Sequence, residues 1–417
     1  MNEKHQRFPI NLFCSLMLLS LIPFLYTLVR TNLIADIPST DGLGIAGHIE
    51  WFDIINETIQ AFLIMPLYAL LNKCIQDKQK FKERIFQTFV IANIIYLLFS
   101  LAVLIYCNHI VSTMVVGPTR EVTRYLELET IGFIIANIVS FVNVLFVVRE
   151  KTLYIYTMVI FRTIFTVIGD LFLIPAFGVN GIAYSNVVLC LIAVFREQLF
   201  TVCFKFEKSF VKDYLFIGFF SGFQILLDNI IYLFIVCKMV NAVAEQGNYW
   251  TANNIIWGLM LIPISALAEI IKKDCKDKLT FTDIKNYHII ILLTFFAWAL
   301  FIPLLDTFLK DVMGINNFHS IKRIIVTLLP FYLAYNYTVF LDNIFIGRGK
   351  TQYCFVTSLI VNLIYYPIIY GLMRKGIFTP DITFICMMFG FGMVTHLGCS
   401  IICFIIHRKR LRSREAV

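Results

Sequence analysis

Long blocks of apolar residues run through this 417-residue chain, and a short polar segment separates each block from the next. A helix needs about 20 apolar residues to cross the hydrocarbon core of a bilayer. The blocks that are long enough predict twelve spans: residues 8–29, 51–71, 85–107, 125–148, 153–175, 181–204, 214–237, 250–271, 287–305, 322–346, 352–373 and 382–406. The pattern therefore predicts an all-α polytopic membrane protein with twelve transmembrane helices.

The chain also contains an internal repeat. One set of positions recurs 199 residues later: Phe141, Phe146, Arg149, Lys151, Thr152 and Tyr154 return as Phe340, Phe345, Arg348, Lys350, Thr351 and Tyr353. A second set recurs after 197 residues: Asn56, Pro66, Ala69, Leu70 and Asp77 return as Asn253, Pro263, Ala266, Leu267 and Asp274. A difference of two residues in loop length between the halves accounts for the two offsets. The repeat predicts two homologous six-helix bundles, an N-lobe of residues 1–207 and a C-lobe of residues 208–417.

Composition and charge agree with a membrane protein. Hydrophobic residues make up 59% of the chain and charged residues 15%, with a mean hydropathy of +0.80, which is outside the range of soluble domains. Most Lys and Arg residues fall in alternate loops and in the segment 407–414, so both termini are predicted to be cytoplasmic. This bias accounts for the net charge of +8, and we expect no nucleic-acid partner. We expect a monomer that crosses the plasma membrane many times.

A few carboxylates lie inside the predicted spans, where an ionised side chain costs at least ~2.5 kcal/mol. Asp170 in the fifth span and Glu57 in the second lie at depths that would let them meet. Asp53 is one helical turn from Glu57, and one of two like charges this close tends to hold a proton. Thr166, one turn from Asp170, and Asn186 at similar depth could add oxygen ligands for Na⁺. These residues predict a proton or cation site.

Two of these interpretations have alternatives. Arg162 could neutralise Asp170 structurally, but the two residues are about 80° apart around the helix, so we prefer the cation or proton site. Asp228, in the seventh span, is interpreted as a substrate or coupling carboxylate in a cavity with Asn253 and Asn254. The alternative for Asp228 is a hydrogen bond to an amide such as one of these two.

Two further carboxylates lie near the predicted cytoplasmic ends of their spans. Glu269 lies beside Lys272 and Asp342 lies beside Arg348. Long basic side chains at a membrane surface commonly pair with such acids. We therefore interpret both carboxylates as members of interfacial ion pairs.

The layout and four short segments resemble the MATE (multidrug and toxin extrusion) transporters of the MOP flippase superfamily. The segments are Ile217-Gly218 at the start of the seventh span, Asn253 to Pro263 in the eighth, Gly178-Val179-Asn180-Gly181-Ile182-Ala183 before the sixth, and Gly347-Arg348-Gly349-Lys350-Thr351 before the eleventh. The resemblance extends over nearly the whole chain. It implies a cation-coupled antiporter whose two six-helix lobes enclose a cavity that opens alternately to each side.

The resemblance also implies roles for individual residues. Asp170 is similar to the acidic position of the fifth span in the N-lobe cation site, and Asn186 to the hydroxyl position of the sixth. Thr166 stands where an amide is usual, and Asp228 is similar to the acidic position of the seventh span. The first span lacks the acid that many members of the family carry there. We interpret Glu57 of the second span as the carboxylate that takes its place.

We therefore predict a secondary active antiporter, coupled to Na⁺ or H⁺, that exports amphiphilic, cationic organic compounds such as drugs. No cofactor is expected beyond a possible Na⁺ at Asp170. The alternative is a flippase for lipid-linked oligosaccharides, whose cavity would need basic groups such as Arg162 and Arg196. An intramembrane enzyme would need a histidine or carboxylate cluster, and we interpret His288 and His396 as isolated, so we predict that the protein is not an enzyme.

Overall fold

The computed structural model describes residues 8–35, 50–114, 119–177, 180–181, 206–275, 281–315, 318–377 and 381–415, and these residues form helices and turns with no strand. In chain order the helices are α1 (Ile10–Ala35), α2 (Glu50–Asn72), α3 (Lys78–Met114), α4 (Thr119–Val148), α5 (Thr152–Phe177), α6 (Lys208–Val240), α7 (Gln246–Met260), α8 (Ile262–Asp274), α9 (Thr282–Val312), α10 (Phe318–Gly347), α11 (Gln352–Arg374) and α12 (Ile382–Glu415).

The helices confirm the predicted fold class. Among the described residues, nine helices are long and apolar enough to cross a membrane, and the bent pair of α7 and α8 adds a tenth span. α1 contains a shorter apolar stretch, Ile10–Tyr26. Each predicted span except the sixth coincides with one of these helices or with the bent pair. The sixth, residues 181–204, lies almost wholly outside the described residues, and the cytoplasmic location of the termini stays a prediction.

The outward faces of several helices are apolar. Ile105 of α3 and Phe172 of α5 are each 74% exposed, and Leu300 of α9 is 77% exposed. Large apolar side chains in such numbers on a surface are costly in water and favourable in lipid. The exposed faces therefore support the assignment of these helices to the bilayer.

The chain divides into two compact units. The first unit comprises Cys14–Gly218, and the second comprises Phe219–Val417 together with Met1–Phe13. The predicted lobe boundary at residue 207 stays a prediction.

The start of α6 packs closely within the first unit. The Tyr214 hydroxyl donates a hydrogen bond to the Leu63 carbonyl oxygen of α2 at 2.6 Å. One turn later, a Cβ atom at Gly218 would collide with the Phe62 carbonyl oxygen. Glycine is therefore required at this position for the close approach of α6 and α2.

The repeated segment forms the same turn in both units. After α4, the Lys151 N–H donates to the Phe146 carbonyl oxygen at 2.8 Å, and after α10 the Lys350 N–H donates to the Phe345 carbonyl oxygen at 2.8 Å. A hydrogen bond of this spacing, across the end of a helix, defines the Schellman C-cap. The internal repeat seen in the sequence is thus also a structural repeat at this turn.

The two repeated prolines have different consequences. α2 continues through Pro66 without interruption. α7 and α8 instead meet at an angle of 50° around Leu261, two residues before Pro263. A proline removes one backbone hydrogen bond and permits a kink, but the surrounding helices decide whether the kink forms.

Among the described residues of the second unit, four segments are π-helical turns: Tyr232–Cys237 in α6, Ile256–Met260 in α7, Phe308–Val312 in α9 and Val361–Tyr365 in α11. A π-helical turn holds one more residue than an α-helical turn, which re-aims the side chains around it, and such turns are frequent at functional sites. The turns in α6 and α11 contribute residues to the polar groups described below.

Candidate ion and substrate sites

Asp170 lies on the buried face of α5. Its side chain is 0% exposed, and Thr166 one turn before it and Ile174 one turn after it are also buried. The Tyr26 hydroxyl of α1 donates a hydrogen bond to Asp170 Oδ2 at 2.9 Å. A carboxylate buried this deeply is stable only with hydrogen-bond donors and with a proton or a cation. This geometry is compatible with the predicted ion site at Asp170 and Thr166.

Tyr26 was not among the predicted site residues. The first predicted span contains no acid, so charge gave no reason to select a residue there. A tyrosine within an apolar stretch is usually a packing residue. Only the packing of α1 against α5 shows that its hydroxyl reaches the carboxylate.

The structure places Glu57 differently from Asp170. Glu57 is exposed on α2, whereas Asp170 is completely buried. Its neighbour Asn56 is buried, and the Tyr96 hydroxyl of α3 donates a hydrogen bond to the Asn56 side-chain oxygen. A direct contact between Glu57 and Asp170 stays a prediction.

Asp53 belongs to α2, but its side chain lies outside the described residues, as does the whole of Asn186. Arg162 lies on an exposed part of α5.

Asp228 of α6 accepts two hydrogen bonds from α11. The Ser358 hydroxyl donates to Asp228 Oδ1 at 2.6 Å, and the Asn362 side-chain amide donates to the same oxygen at 2.5 Å. The Asn362 amide also donates to Ser358 Oγ at 2.9 Å. Ser358 and Asn362 are buried. Asp228 therefore accepts a hydrogen bond from an amide, as the alternative predicted, and the amide is Asn362 in place of the suggested Asn253 or Asn254.

Asn253 lies at the centre of a second polar group. Its side-chain amide donates to the Tyr232 hydroxyl oxygen at 3.3 Å. Its Oδ1 atom is buried and has no hydrogen-bond partner among the described residues. Asn254, the next residue, is exposed. Of the two predicted cavity amides, only Asn253 faces the interior.

Three buried residues of α7 and α10 also carry unpaired polar atoms. Tyr249 lies one turn before Asn253 in α7, and Tyr332 and Asn336 lie one turn apart in α10. The two tyrosine hydroxyls and both polar atoms of the Asn336 side chain are buried without a hydrogen-bond partner among the described residues. Buried polar atoms in proteins are usually satisfied by protein, water or ligand.

Asp342 and His396 form a further buried contact. Asp342 Oδ1 accepts a hydrogen bond from the Ser400 hydroxyl at 3.0 Å, and Asp342 Oδ2 is 3.4 Å from His396 Nε2. The Thr357 hydroxyl oxygen lies 3.1 Å from the same nitrogen. The predicted pairing of Asp342 with Arg348 and the isolation of His396 were therefore both wrong. The prediction failed because it considered neighbours in sequence, and His396 approaches Asp342 from another helix.

The other interfacial prediction is confirmed. Lys272 Nζ lies 2.6 Å from Glu269 Oε1, one turn away in α8. Among the described residues, no group of three His, Cys, Asp or Glu side chains is placed to hold a metal ion.

The fold and these buried groups define a polytopic α-helical membrane protein with a carboxylate deep inside each of its two units. Its fold is that of the MATE and MOP superfamily transporters, as the resemblance predicted. A MOP superfamily transporter from Pyrococcus furiosus superposes with a TM-score of 0.78 at 16% identity over 97% of this chain and 95% of that chain. A MATE transporter from Vibrio cholerae gives 0.81 at 15% identity over 97% of this chain and 96% of that chain.

A MATE structure in the bent conformation also gives a TM-score of 0.81, at 15% identity over 98% of this chain and 96% of that chain. The Pyrococcus furiosus structure is described as having a binding pocket of reverse polarity that suggests a different function. No protein-family profile and no curated protein sequence matches this chain. The similarity is thus one of fold.

Proposed function

We propose that this protein is a secondary active transporter, an antiporter that uses Na⁺ or H⁺ to export amphiphilic organic cations by alternating access. The proposal rests mainly on the complete burial of the Asp170 carboxylate within a helix long and apolar enough to span a bilayer. An acid in this position costs at least ~2.5 kcal/mol on the insertion scale, and a function in ion binding explains why it is present. The MATE-type fold supports a transport role, and we place the protein, as a monomer, in the plasma membrane.

Ion loading at Asp170 has a direct structural consequence. A charged carboxylate only accepts hydrogen bonds, whereas a protonated one also donates. The Tyr26 hydroxyl donates to Asp170 from α1. Binding of a proton or cation at Asp170 therefore changes the contact between α1 and α5. In alternating access, a change in helix packing closes the cavity on one side of the membrane and opens it on the other.

Aromatic side chains in the second unit suit an amphiphilic cation. The Trp257 ring lies 5.2 Å from the Tyr335 ring and 6.4 Å from the Tyr332 ring, between centroids. Trp257 is 44% exposed, so part of its ring surface is accessible. Indole faces bind cations more strongly than other rings do. Asp228, in the same unit, supplies a negative charge for the same ligand class.

The alternative, a flippase for lipid-linked oligosaccharides, would need basic groups in the cavity to bind a pyrophosphate. Arg162 is exposed on α5, whereas Asp170 and Asp342 are buried. The carboxylates buried within α5 and α10 favour a cationic cargo, and Arg196, the other basic residue predicted for such a cavity, lies outside the described residues.

The proposal is tested by efflux of a fluorescent organic cation from cells that express the protein. Asp170→Asn removes the ionisable group with little change in volume, and we expect efflux to fall about tenfold or more. Asp77→Asn is the matched control, because Asp77 caps the start of α3 by accepting from the Gln79 and Lys80 amides, and asparagine caps as well as aspartate. Efflux by Asp170→Asn at the wild-type rate, at equal expression, would refute the assignment.

A further inference from the structure

A cavity lies between the end of α3 and the start of α4 in the first unit, and none of its lining residues belongs to the proposed ion site. Its volume is about 620 Å³, within the range of about 300–1,000 Å³ that is typical of small-molecule sites. The lining residues are Asn108 and Ser112 of α3 and Arg120, Thr123, Arg124, Glu127 and Leu128 of α4. Most of these side chains are polar, so the cavity suits a polar or charged group.

The cavity lies at the predicted depth of the lipid headgroups. The third predicted span ends at residue 107 and the fourth begins at residue 125, so the lining residues fall at or just beyond the ends of these spans. The Cys107 thiol lies 3.5 Å from the Thr123 carbonyl oxygen, which places these two residues at the same depth. The phosphates of a bilayer lie directly outside its hydrocarbon core.

Two guanidinium groups supply the positive charge of the cavity. Arg120 and Arg124 are exposed and lie one turn apart on the same face of α4. The ion pairs among the described residues include neither of them. Guanidinium groups bind phosphate oxygens through paired, charge-assisted hydrogen bonds. With the carboxylate of Glu127, the lining has a net charge of +1, which matches the single negative charge of a phosphodiester.

An apolar stripe on α3 leads from the bilayer to this cavity. It consists of Leu98, Leu101 and Ile105, which are all exposed. Asn108 and Ser112 continue the same face of the helix, because each step along the chain is three or four residues. A soluble anion would contact only the polar end of this face, whereas a lipid would contact its whole length. The apolar stripe therefore favours a lipid as the ligand.

We propose that the cavity binds the phosphodiester headgroup of a phospholipid, with Arg120 and Arg124 on the phosphate and the acyl chains along the apolar stripe of α3. The Asn108 amide and the Thr123 hydroxyl line the same cavity and can donate hydrogen bonds to the ester oxygens of the lipid. This site is separate from Asp170, and it does not depend on the export of cations.

Native mass spectrometry of the whole chain in detergent tests the site. The protein is titrated with phosphatidylglycerol, whose headgroup carries one negative charge, and the dissociation constant of the first bound lipid is measured. We expect the double variant Arg120→Gln and Arg124→Gln to raise this constant about tenfold or more. The matched control is the double variant Arg374→Gln and Lys375→Gln, which removes two exposed positive charges at the end of α11 and should change the constant less than about twofold.

Glu127→Gln is a variant for which we expect the opposite effect. It removes the negative charge among the lining side chains, so we expect phosphatidylglycerol to bind about threefold more tightly. Damage to the fold would weaken binding, so a gain in affinity separates the charge effect from misfolding. Equal dissociation constants in the wild type, the arginine double variant and Glu127→Gln would overturn the proposal.

A competition experiment distinguishes a phospholipid from a free phosphate ion. We expect a large excess of inorganic phosphate to leave the lipid bound, and Ile105→Ala to weaken lipid binding about threefold because the acyl chains lose apolar contact. Leu300→Ala is the matched control, because Leu300 is an exposed apolar residue of α9. Displacement of the lipid by phosphate, or equal effects of Ile105→Ala and Leu300→Ala, would overturn the assignment of a lipid.

Discussion

Tyr26 is the residue whose hydroxyl holds the central carboxylate of the first unit. Tyr26→Phe removes only the oxygen that donates to Asp170, so packing is preserved and one hydrogen bond is lost. A hydrogen bond to a charged group contributes about 1.5–3 kcal/mol. We expect a loss of stability within this range, measured by thermal unfolding of the purified protein, together with slower dye efflux.

Tyr106→Phe is the control for this substitution. Tyr106 lies on α3 and is 61% exposed, so removal of its hydroxyl leaves buried groups unchanged. Equal effects of Tyr26→Phe and Tyr106→Phe on stability and efflux would show that the contact with Asp170 has no special importance.

The sequence predicts some of the site residues because charge inside an apolar span is conspicuous. Asp170 and Asp228 are found in this way. Tyr26 and Ser358 are not, because hydroxyl groups are common in transmembrane helices and the sequence does not show which helix faces which. Their roles depend on contacts between helices far apart in the chain.

At the scale of single elements, the repeated turn allows a comparison within one molecule. Glu150 and Gly349 occupy the same position of the turn, and both have positive φ, 55° and 66° respectively. A side chain in this left-handed conformation costs about 1–2 kcal/mol, which glycine avoids.

We therefore expect Glu150→Gly to stabilise the protein by about 0.5–1 kcal/mol and Gly349→Ala to destabilise it by about 1 kcal/mol. Thermal or denaturant unfolding in detergent micelles would measure both changes. A loss of stability in Glu150→Gly would mean that contacts of the glutamate side chain outweigh the backbone strain.

Helices are predicted well from the sequence where the residues that specify them are close together in the chain. Span length and hydropathy depend on about 20 consecutive residues, and the predicted spans match the described helices. The 50° bend near Pro263 and the uninterrupted helix through Pro66 could not be told apart in the sequence, because the same residue stands in both. The π-helical turns also carry no local signal in this sequence.

At the scale of the whole molecule, each unit contains a buried carboxylate, but the partners of these carboxylates differ. Asp170 in the first unit is held by a tyrosine, whereas Asp228 and Asp342 in the second are accompanied by His396. The duplication visible in the sequence predicts two similar bundles and does not predict different chemistry within them.

Transport by the purified protein in proteoliposomes tests the central claim most directly. The vesicles contain a fluorescent organic cation, and Na⁺ and pH gradients are imposed separately on the wild type and on Asp170→Asn. The account predicts that one of the gradients drives the dye across the membrane against its concentration gradient in the wild type, and that Asp170→Asn abolishes this movement. Failure of both gradients to move the dye in the wild type, or unchanged transport by Asp170→Asn, would contradict it.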